Sequence, residues 1–364
     1  MSGGAAADAP PDPRDWVNVR ARIIDNPWSF RGPYPVHRVL PVLERAGWSV
    51  DVAHRGRQAS VRRQVEEALD QGAGLVVGAG GDGTLRDIAD VLVGRDAALG
   101  VLPGGTANLW AHELGVARPP EQAAAALVDA GVRRMDMGRI VHPDGRFLRF
   151  LLMAGVGIDG LMLDHTDPRL KVRLGPGGIA LGMIRAIPEF RPFPIELTVD
   201  GRPAWEGRVI QVIVGNSRLY ANVVHATPEA RVDDGVLDVT IVPAGDLELA
   251  VRLGWSLVLS RRPGGETPRF RGREISLRTP VVPPMEVDGS AVRRTSLEGA
   301  GGRPFRIVVE PRSLAVRVPR AYAGDLFGPP AEDDADGPGP GTLMPASAGP
   351  GRAGAVPAAR RPAG

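Results

Sequence analysis

Between Gly80 and Thr84 the chain sets three glycines, a carboxylate and a hydroxyl in five consecutive positions, Gly80-Gly81-Asp82-Gly83-Thr84. Residues of these types suit the holding of a phosphate. Glycines let backbone N–H groups come close to an anion, and a helix starting at the same point offers its free N–H groups and the positive end of its dipole. A second run, Pro103-Gly104-Gly105-Thr106-Ala107-Asn108, repeats the pattern with small residues, a hydroxyl and an amide. Either run alone also fits an ordinary strand-to-helix turn. Two of them at the ends of neighbouring strands favour a phosphate site.

The elements that must position these runs can be read from periodicity. Val17 to Ile24 predicts a first strand, ending at Asn26-Pro27-Trp28-Ser29. Val36 to Ala46 has helical spacing, Trp48 to Ala53 alternates as a strand, and Val61 to Leu69 is helical again. Leu75 to Val77 feeds the first glycine run, Leu85 to Val93 carries one apolar helical face, and Leu99 to Leu102 feeds the second run. This alternation predicts an α/β nucleotide-binding domain with a parallel sheet and its ligand at the carboxyl ends of the strands.

From about Met135 the pattern becomes short alternating runs, at Phe147 to Ala154, Ile195 to Val199, Val209 to Val214 and Leu237 to Val242. They predict a second, mostly antiparallel, β-rich domain. Arg169 to Phe193 interrupts it with an apolar, basic stretch, readable as a packed helix or as a wall for an acyl chain. Leu247 to Leu259 predicts another helix, and strands are expected at Phe305 to Glu310 and Leu314 to Val318. The expected organisation is a tail over 1–14, the nucleotide domain over 15–134, the β-rich domain over 135–304, closing strands over 305–323 that pack on either domain, and a Pro/Gly/Ala-rich tail over 324–364.

Composition narrows the function. The 364 residues carry a formal charge of only +2, so the pI near 9.5 is no evidence of a nucleic-acid footprint, which needs basic residues gathered on one face. No cysteine is present, which excludes disulfides, thiolate metal sites and a cysteine nucleophile. The first residues are Gly, Ala, Pro and Asp without an apolar core, and no charge-free run has the length of a bilayer span. The expectation is a cytoplasmic protein, with any membrane contact peripheral.

These residues, in this order, resemble the diacylglycerol kinase and sphingosine kinase-like lipid kinases, whose nucleotide domain is related to that of NAD kinases. The resemblance spans about Val17 to Val318. It is carried by Asn26-Pro27-x-Ser29, the GGDGT run with Asp87 three residues beyond Thr84, Pro103-x-Gly105-Thr106-x-Asn108, Gly155-x-Gly157-Ile158-Asp159, Gly215-Asn216, the segment from Pro228 through Asp233-Asp234-Gly235 to Asp238, and Asp288-Gly289.

The resemblance implies ATP-dependent transfer of the γ-phosphoryl group to a lipid hydroxyl, such as that of diacylglycerol or a sphingoid base. Asn26, Ser29, Gly80, Gly81, Asp82, Gly83, Thr84, Asp87, Gly105, Thr106 and Asn108 would then contact ATP or its Mg²⁺. A structural Mg²⁺ would sit on Asp234 with the carbonyls of Arg231 and Val236. Asp288 would act as the base, and Ser290 stands where the family has glutamate. Phe30, Leu109, Ala221, Asn222 and His54 also depart from the family pattern. Two alternatives follow: a nucleotide- or lipid-binding member with a degenerate kinase site, suggested by Ser290, and an NAD kinase-like enzyme, suggested by GGDGT alone. Implied partners are a lipid at the inner membrane face and no nucleic acid, and a homodimer is compatible with the sequence.

Overall fold

The computed structural model describes residues 19–27, 33–54, 60–166, 176–220, 224–244, 267–292 and 304–329. The first half runs β1 (Arg20–Asp25), α1 (Val36–Arg45), β2 (Ser49–His54), α2 (Val61–Asp70), β3 (Leu75–Gly80), α3 (Asp82–Leu92), β4 (Ala98–Pro103), α4 (Leu109–Glu113) and α5 (Pro120–Val128). Strands β2, β1, β3 and β4 pair in that order, all parallel. β3 and β4 are buried along their whole length, as strands covered on both faces by helices must be. Gly78 makes that cover close: a β-carbon there would lie 2.5 Å from Leu85 Cδ2, so only a glycine lets α3 settle on the sheet.

The second half continues with β5 (Ala130–Val141), β6 (Phe147–Phe150), β7 (Met153–Gly157), α6 (Ile158–Asp164), α7 (Pro176–Glu189), β8 (Phe193–Val199), β9 (Arg202–Gly215), β10 (Leu219–Tyr220), β11 (Val224–His225), β12 (Leu237–Pro243), β13 (Arg269–Gly272), β14 (Glu274–Arg278), β15 (Met285–Val287), β16 (Ser290–Val292) and β17 (Phe305–Pro319). Pairing here is antiparallel, so the mixed architecture expected from the sequence is present.

The two halves share one sheet, ordered β16-β15-β7-β9-β8-β14-β17-β4-β3-β1-β2 along its main path. β17 joins them, running antiparallel to β14 and β5 and parallel to β4. Two closing strands were expected where one long strand forms. Its register shifts between Glu310 and Leu314, where Arg312 takes a left-handed φ of 46° and its N–H donates to Asp136 Oδ1 at 2.6 Å. Residues of both halves, among them Leu85, Ile88, Leu151, Ile213 and Leu314, bury one another in a common core. Each such aliphatic side chain contributes about 1.5–3 kcal/mol, which ties the halves together.

Two further expectations change. The run Phe147 to Ala154 is two strands, because the N–H groups of Leu151, Leu152 and Met153 turn away to a side-chain carboxylate described below. Residues 324–329, assigned by composition to the tail, bury Leu326 and Phe327. The Phe327 ring meets Trp110 and Tyr322, each at 6.2 Å between centroids, and the Arg133 guanidinium stacks 4.9 Å over it. Two aromatic contacts and a cation over the ring hold a segment that its Pro/Gly content alone would leave loose. The helix expected over Leu247 to Leu259 and the tail over 1–14 lie outside the described residues.

Candidate active site

The two glycine runs meet at the carboxyl ends of β3 and β4. The Gly104 N–H donates to the Gly80 carbonyl at 2.9 Å, and a β-carbon on Gly105 would lie 2.4 Å from Gly81 Cα. The turns therefore stack backbone against backbone, an approach that any side chain would prevent. Asn108 closes the second turn from a left-handed φ of 53°. Its Oδ1 accepts the Gly105 N–H at 2.7 Å and its Nδ2 donates to the Gly105 carbonyl at 2.8 Å. Thr106 lies on the same turn, half-buried.

In front of the turns stands the N-terminus of α3, capped by Gly81 in extended conformation. The Thr84 N–H returns to the Gly81 carbonyl at 2.9 Å, and the positive end of the helix dipole at Asp82 and Gly83 suits an anion. Thr84 closes one side: its Oγ1 accepts from Asn26 Nδ2 at 2.9 Å, and a β-carbon on Gly80 would lie 2.8 Å from the same oxygen. Ser29, expected here too, lies outside the described residues. At the ends of β1 and β2, Asp25 is fully buried, accepts the Tyr34 N–H at 3.0 Å and holds His54 Nδ1 at 3.1 Å.

Asp82, expected at the nucleotide or its Mg²⁺, holds the backbone of the second turn. Its Oδ2 accepts the Leu109 N–H at 3.0 Å and its Oδ1 the Trp110 N–H at 3.1 Å. The buried carboxylate thus caps α4 and braces the second turn against the first, with both oxygens engaged. Asp87 likewise serves the frame: it pairs with Arg86 at 3.0 Å, whose other terminal nitrogen donates to the Val287 carbonyl at 3.1 Å. That contact clamps α3 to β15 in the other half.

β15 and β16 form a tight hairpin whose turn residues, Asp288 and Gly289, have φ of 46° and 74°. Asp-Gly with both φ positive is the turn type that matches strand twist. The Asp288 carboxylate accepts the N–H groups of Leu151 at 2.8 Å, Leu152 at 2.8 Å and Met153 at 3.1 Å. Burial pushes its carboxyl up to about 6, against the opposing pull of Arg86 and of those three donors. The family resemblance implies Asp288 as the base. The geometry makes it the anchor of the hairpin, which carries Ser290 to the α3 N-terminus. There a β-carbon on Gly83 would lie 3.4 Å from Ser290 Oγ.

A buried polar cluster joins α6, β9 and β10. Tyr220 donates its hydroxyl to Asp159 Oδ2 at 3.2 Å, Asp159 Oδ1 accepts the Gly160 N–H at 2.6 Å, and Gln211 Oε1 accepts the Asp159 N–H at 3.3 Å. Burial pushes the Asp159 carboxyl up to about 6 and the Tyr220 phenol well above its ordinary value. In the sequence Asp159 is a landmark of the family resemblance without a role of its own. The signal was Gly155, where a β-carbon would fall 1.8 Å from Asp159 Oδ2, so that the glycine leaves the room the carboxylate fills.

The expected Mg²⁺ loop does not fit the ion. Asp234 Oδ2 is 2.5 Å from Arg271 Nη2 and its Oδ1 accepts the Val236 N–H at 3.2 Å. Arg271 Nε also meets Asp238 at 3.0 Å. A guanidinium already occupies the cation's place on Asp234, and the turn at Gly235 is held by a hydrogen bond to Asp136 Oδ2 at 2.7 Å. Arg231 and Val236 supply only the flanks of that turn. Among the described residues, no group of three or more metal-ligating side chains occurs.

Comparison with known proteins agrees with the layout. Residues 20–140 match the diacylglycerol kinase catalytic domain, and residues 153–318 match the YegS C-terminal NAD kinase beta sandwich-like domain. A Pseudomonas aeruginosa PAO1 protein named "Probable lipid kinase YegS-like" is 33% identical over 306 residues, 83% of this chain and 95% of its own. A namesake from Stenotrophomonas maltophilia K279a is 31% identical over 284 residues, 75% of this chain and 88% of its own. The solved structure of a diacylglycerol kinase from Bacillus anthracis Sterne superposes with a TM-score of 0.62 at 19% identity, covering 85% of this chain and 99% of that one, and shares the fold.

Proposed function

Because the chain belongs to the YegS-like lipid kinase family, we propose that it transfers the γ-phosphoryl group of ATP to a hydroxyl of a membrane lipid. The observation that carries this reading is the stacking of the two glycine turns under the α3 N-terminus, with Ser290 brought across from the other half. Phosphoryl transfer asks chiefly for positioning and for charge stabilisation of the phosphate oxygens. The backbone at Gly81 to Gly83 supplies donors for the phosphates, the second turn, its Gly104 and Gly105 N–H groups held by Gly80 and Asn108, braces that backbone from behind, and Asn26 and Thr84 order the edge of the cradle. ATP brings its divalent cation with it, which neutralises phosphate oxygens.

Ser290 Oγ orients the acceptor hydroxyl against the γ-phosphate, and Asp288 sets the hairpin that aims it. A loose transition state leaves the hydroxyl proton in place until late, so a serine at this position is compatible with turnover. The β-rich half receives the lipid, which reaches the site from the inner membrane face. A second reading, nucleotide binding without transfer, is motivated by Ser290 itself. Purified protein incubated with γ-labelled ATP and a total bacterial lipid extract separates the two. Labelled lipid supports the kinase, and ATP-dependent thermal stabilisation without labelled lipid supports the second reading.

A further inference from the structure

Helix α7 turns its small residues inward and its large ones outward. A β-carbon on Gly182 would lie 2.2 Å from Thr166 Oγ1 and 2.5 Å from the Met162 carbonyl oxygen, so α7 passes the α6 segment almost backbone to backbone. Ala186, one turn on, is fully buried. Ile184 and Ile187 point the other way, 67% and 58% exposed, the two most exposed large hydrophobic side chains among the described residues. Residues three apart on a helix are neighbours, so the pair forms one apolar spot.

Its rim is basic. Arg185 is exposed between the two isoleucines. Arg191, just beyond the helix end, is exposed and donates to the Pro188 and Phe190 carbonyls at 2.7 and 2.9 Å. Arg208 is exposed beside it and donates to the Pro192 carbonyl. These partners are neutral carbonyls, and among the described residues neither guanidinium forms an ion pair. The carboxylate on the helix, Glu189, pairs with His165 Nε2 at 3.0 Å.

An apolar spot rimmed by guanidinium groups matches the surface of an anionic bilayer, where the apolar side chains enter the acyl boundary and the cations meet phosphate headgroups. We propose that the outward face of α7, Ile184 and Ile187 with Arg185, Arg191 and Arg208, docks the protein on an anionic lipid bilayer. α7 packs on α6, and α6 packs on the β15–β16 hairpin, so docking seats the membrane two elements from Ser290. The biological use of this face rests on the lipid-kinase reading above, but docking itself requires no turnover.

The test is co-sedimentation of the full chain with phosphatidylcholine vesicles, with and without phosphatidylglycerol, beside I184D/I187D and R185Q/R191Q variants. Binding is expected only with phosphatidylglycerol, weakening as salt rises and falling by about tenfold or more in each variant. Transfer to lipid offered in detergent micelles should be retained by both variants, whose changed side chains are exposed. Wild-type protein that ignores phosphatidylglycerol vesicles, or variants that bind them equally, would overturn the proposal. So would a dimer in size-exclusion chromatography that becomes a monomer in I184D/I187D, since the face then joins two copies. Vesicle binding without transfer to any lipid would leave docking standing and remove the kinase reading.

Discussion

Ser290 Oγ faces Gly83 across the junction of the two halves, 3.4 Å from where a β-carbon on that glycine would lie. A hydroxyl at the mouth of a phosphate cradle is placed to align an acceptor. Ser290→Ala is expected to lower kcat on the order of tenfold, the loss of a hydrogen bond of about 1.4 kcal/mol in the transition state. ATP-induced thermal stabilisation should be unchanged. Steady-state kinetics beside a thermal melt separates the two effects, and an unaltered kcat removes Ser290 from the site.

The stacked turns give a sharper expectation. Gly105→Ala forces a methyl group into the 2.4 Å approach to Gly81 Cα, with Gly81 N and Asn108 Oδ1 each 3.0 Å away. Overpacking against backbone costs about 1–3 kcal/mol. Chemical denaturation should report that loss, and ATP should no longer raise the melting temperature. An ATP response equal to wild type would show that the turns do not hold the nucleotide.

Asp82 accepts two buried backbone N–H groups, so its removal should act on stability. Asp82→Ala leaves the Leu109 and Trp110 N–H groups buried without their acceptor. About 1–3 kcal/mol for each unsatisfied group is expected in a denaturant titration. Full stability in the variant would contradict the capping role.

These cases show why the fold was more legible in the sequence than the roles at the site. The parallel half was readable because Leu75 to Val77 and Leu99 to Leu102 are short apolar runs, each delivering a glycine turn. The stacking of the turns follows from runs of glycine that local rules recognise. The partners of Asp82, Asp234 and Asp288 do not. Asp288 meets N–H groups more than a hundred residues away, and Asp234 meets Arg271 across β12 and β13. Nothing in the local spacing announces those meetings. The register of β17, which joins the halves through one bent strand, is likewise decided by tertiary pairing.

The Arg271 contacts bear on metal dependence. With a guanidinium already on Asp234 and Asp238, chelation by EDTA should leave the melting temperature of the nucleotide-free protein unchanged. Arg271→Ala should lower it and make it responsive to added Mg²⁺, because the freed carboxylates then favour a cation. A wild-type melting temperature that drops with EDTA would restore the metal loop implied by the family resemblance.

Buried carboxyls set the pH response. Asp136, Asp159 and Asp288 are each pushed up to about 6 from 3.8, chiefly by burial. A carboxyl raised on folding binds its proton more tightly in the folded state, so its contribution to stability grows as pH falls from about 6 toward 4 and is lost on titration up through 6. His142, lowered by burial, contributes in the opposite sense, so the informative quantity is a difference. Subtracting the Asp288→Asn melting curve from that of wild type, between pH 5 and 7, should leave a term that falls with rising pH. A flat difference would place the Asp288 carboxyl in its ordinary range.

The central claim is tested most directly by mass spectrometry of the lipid fraction after the folded protein has been incubated with Mg²⁺, ATP and a total bacterial lipid extract. A lipid carrying one added phosphate, formed by wild type and absent with Gly105→Ala, is the expected result. Stabilisation by ATP with no phosphorylated lipid formed would contradict it.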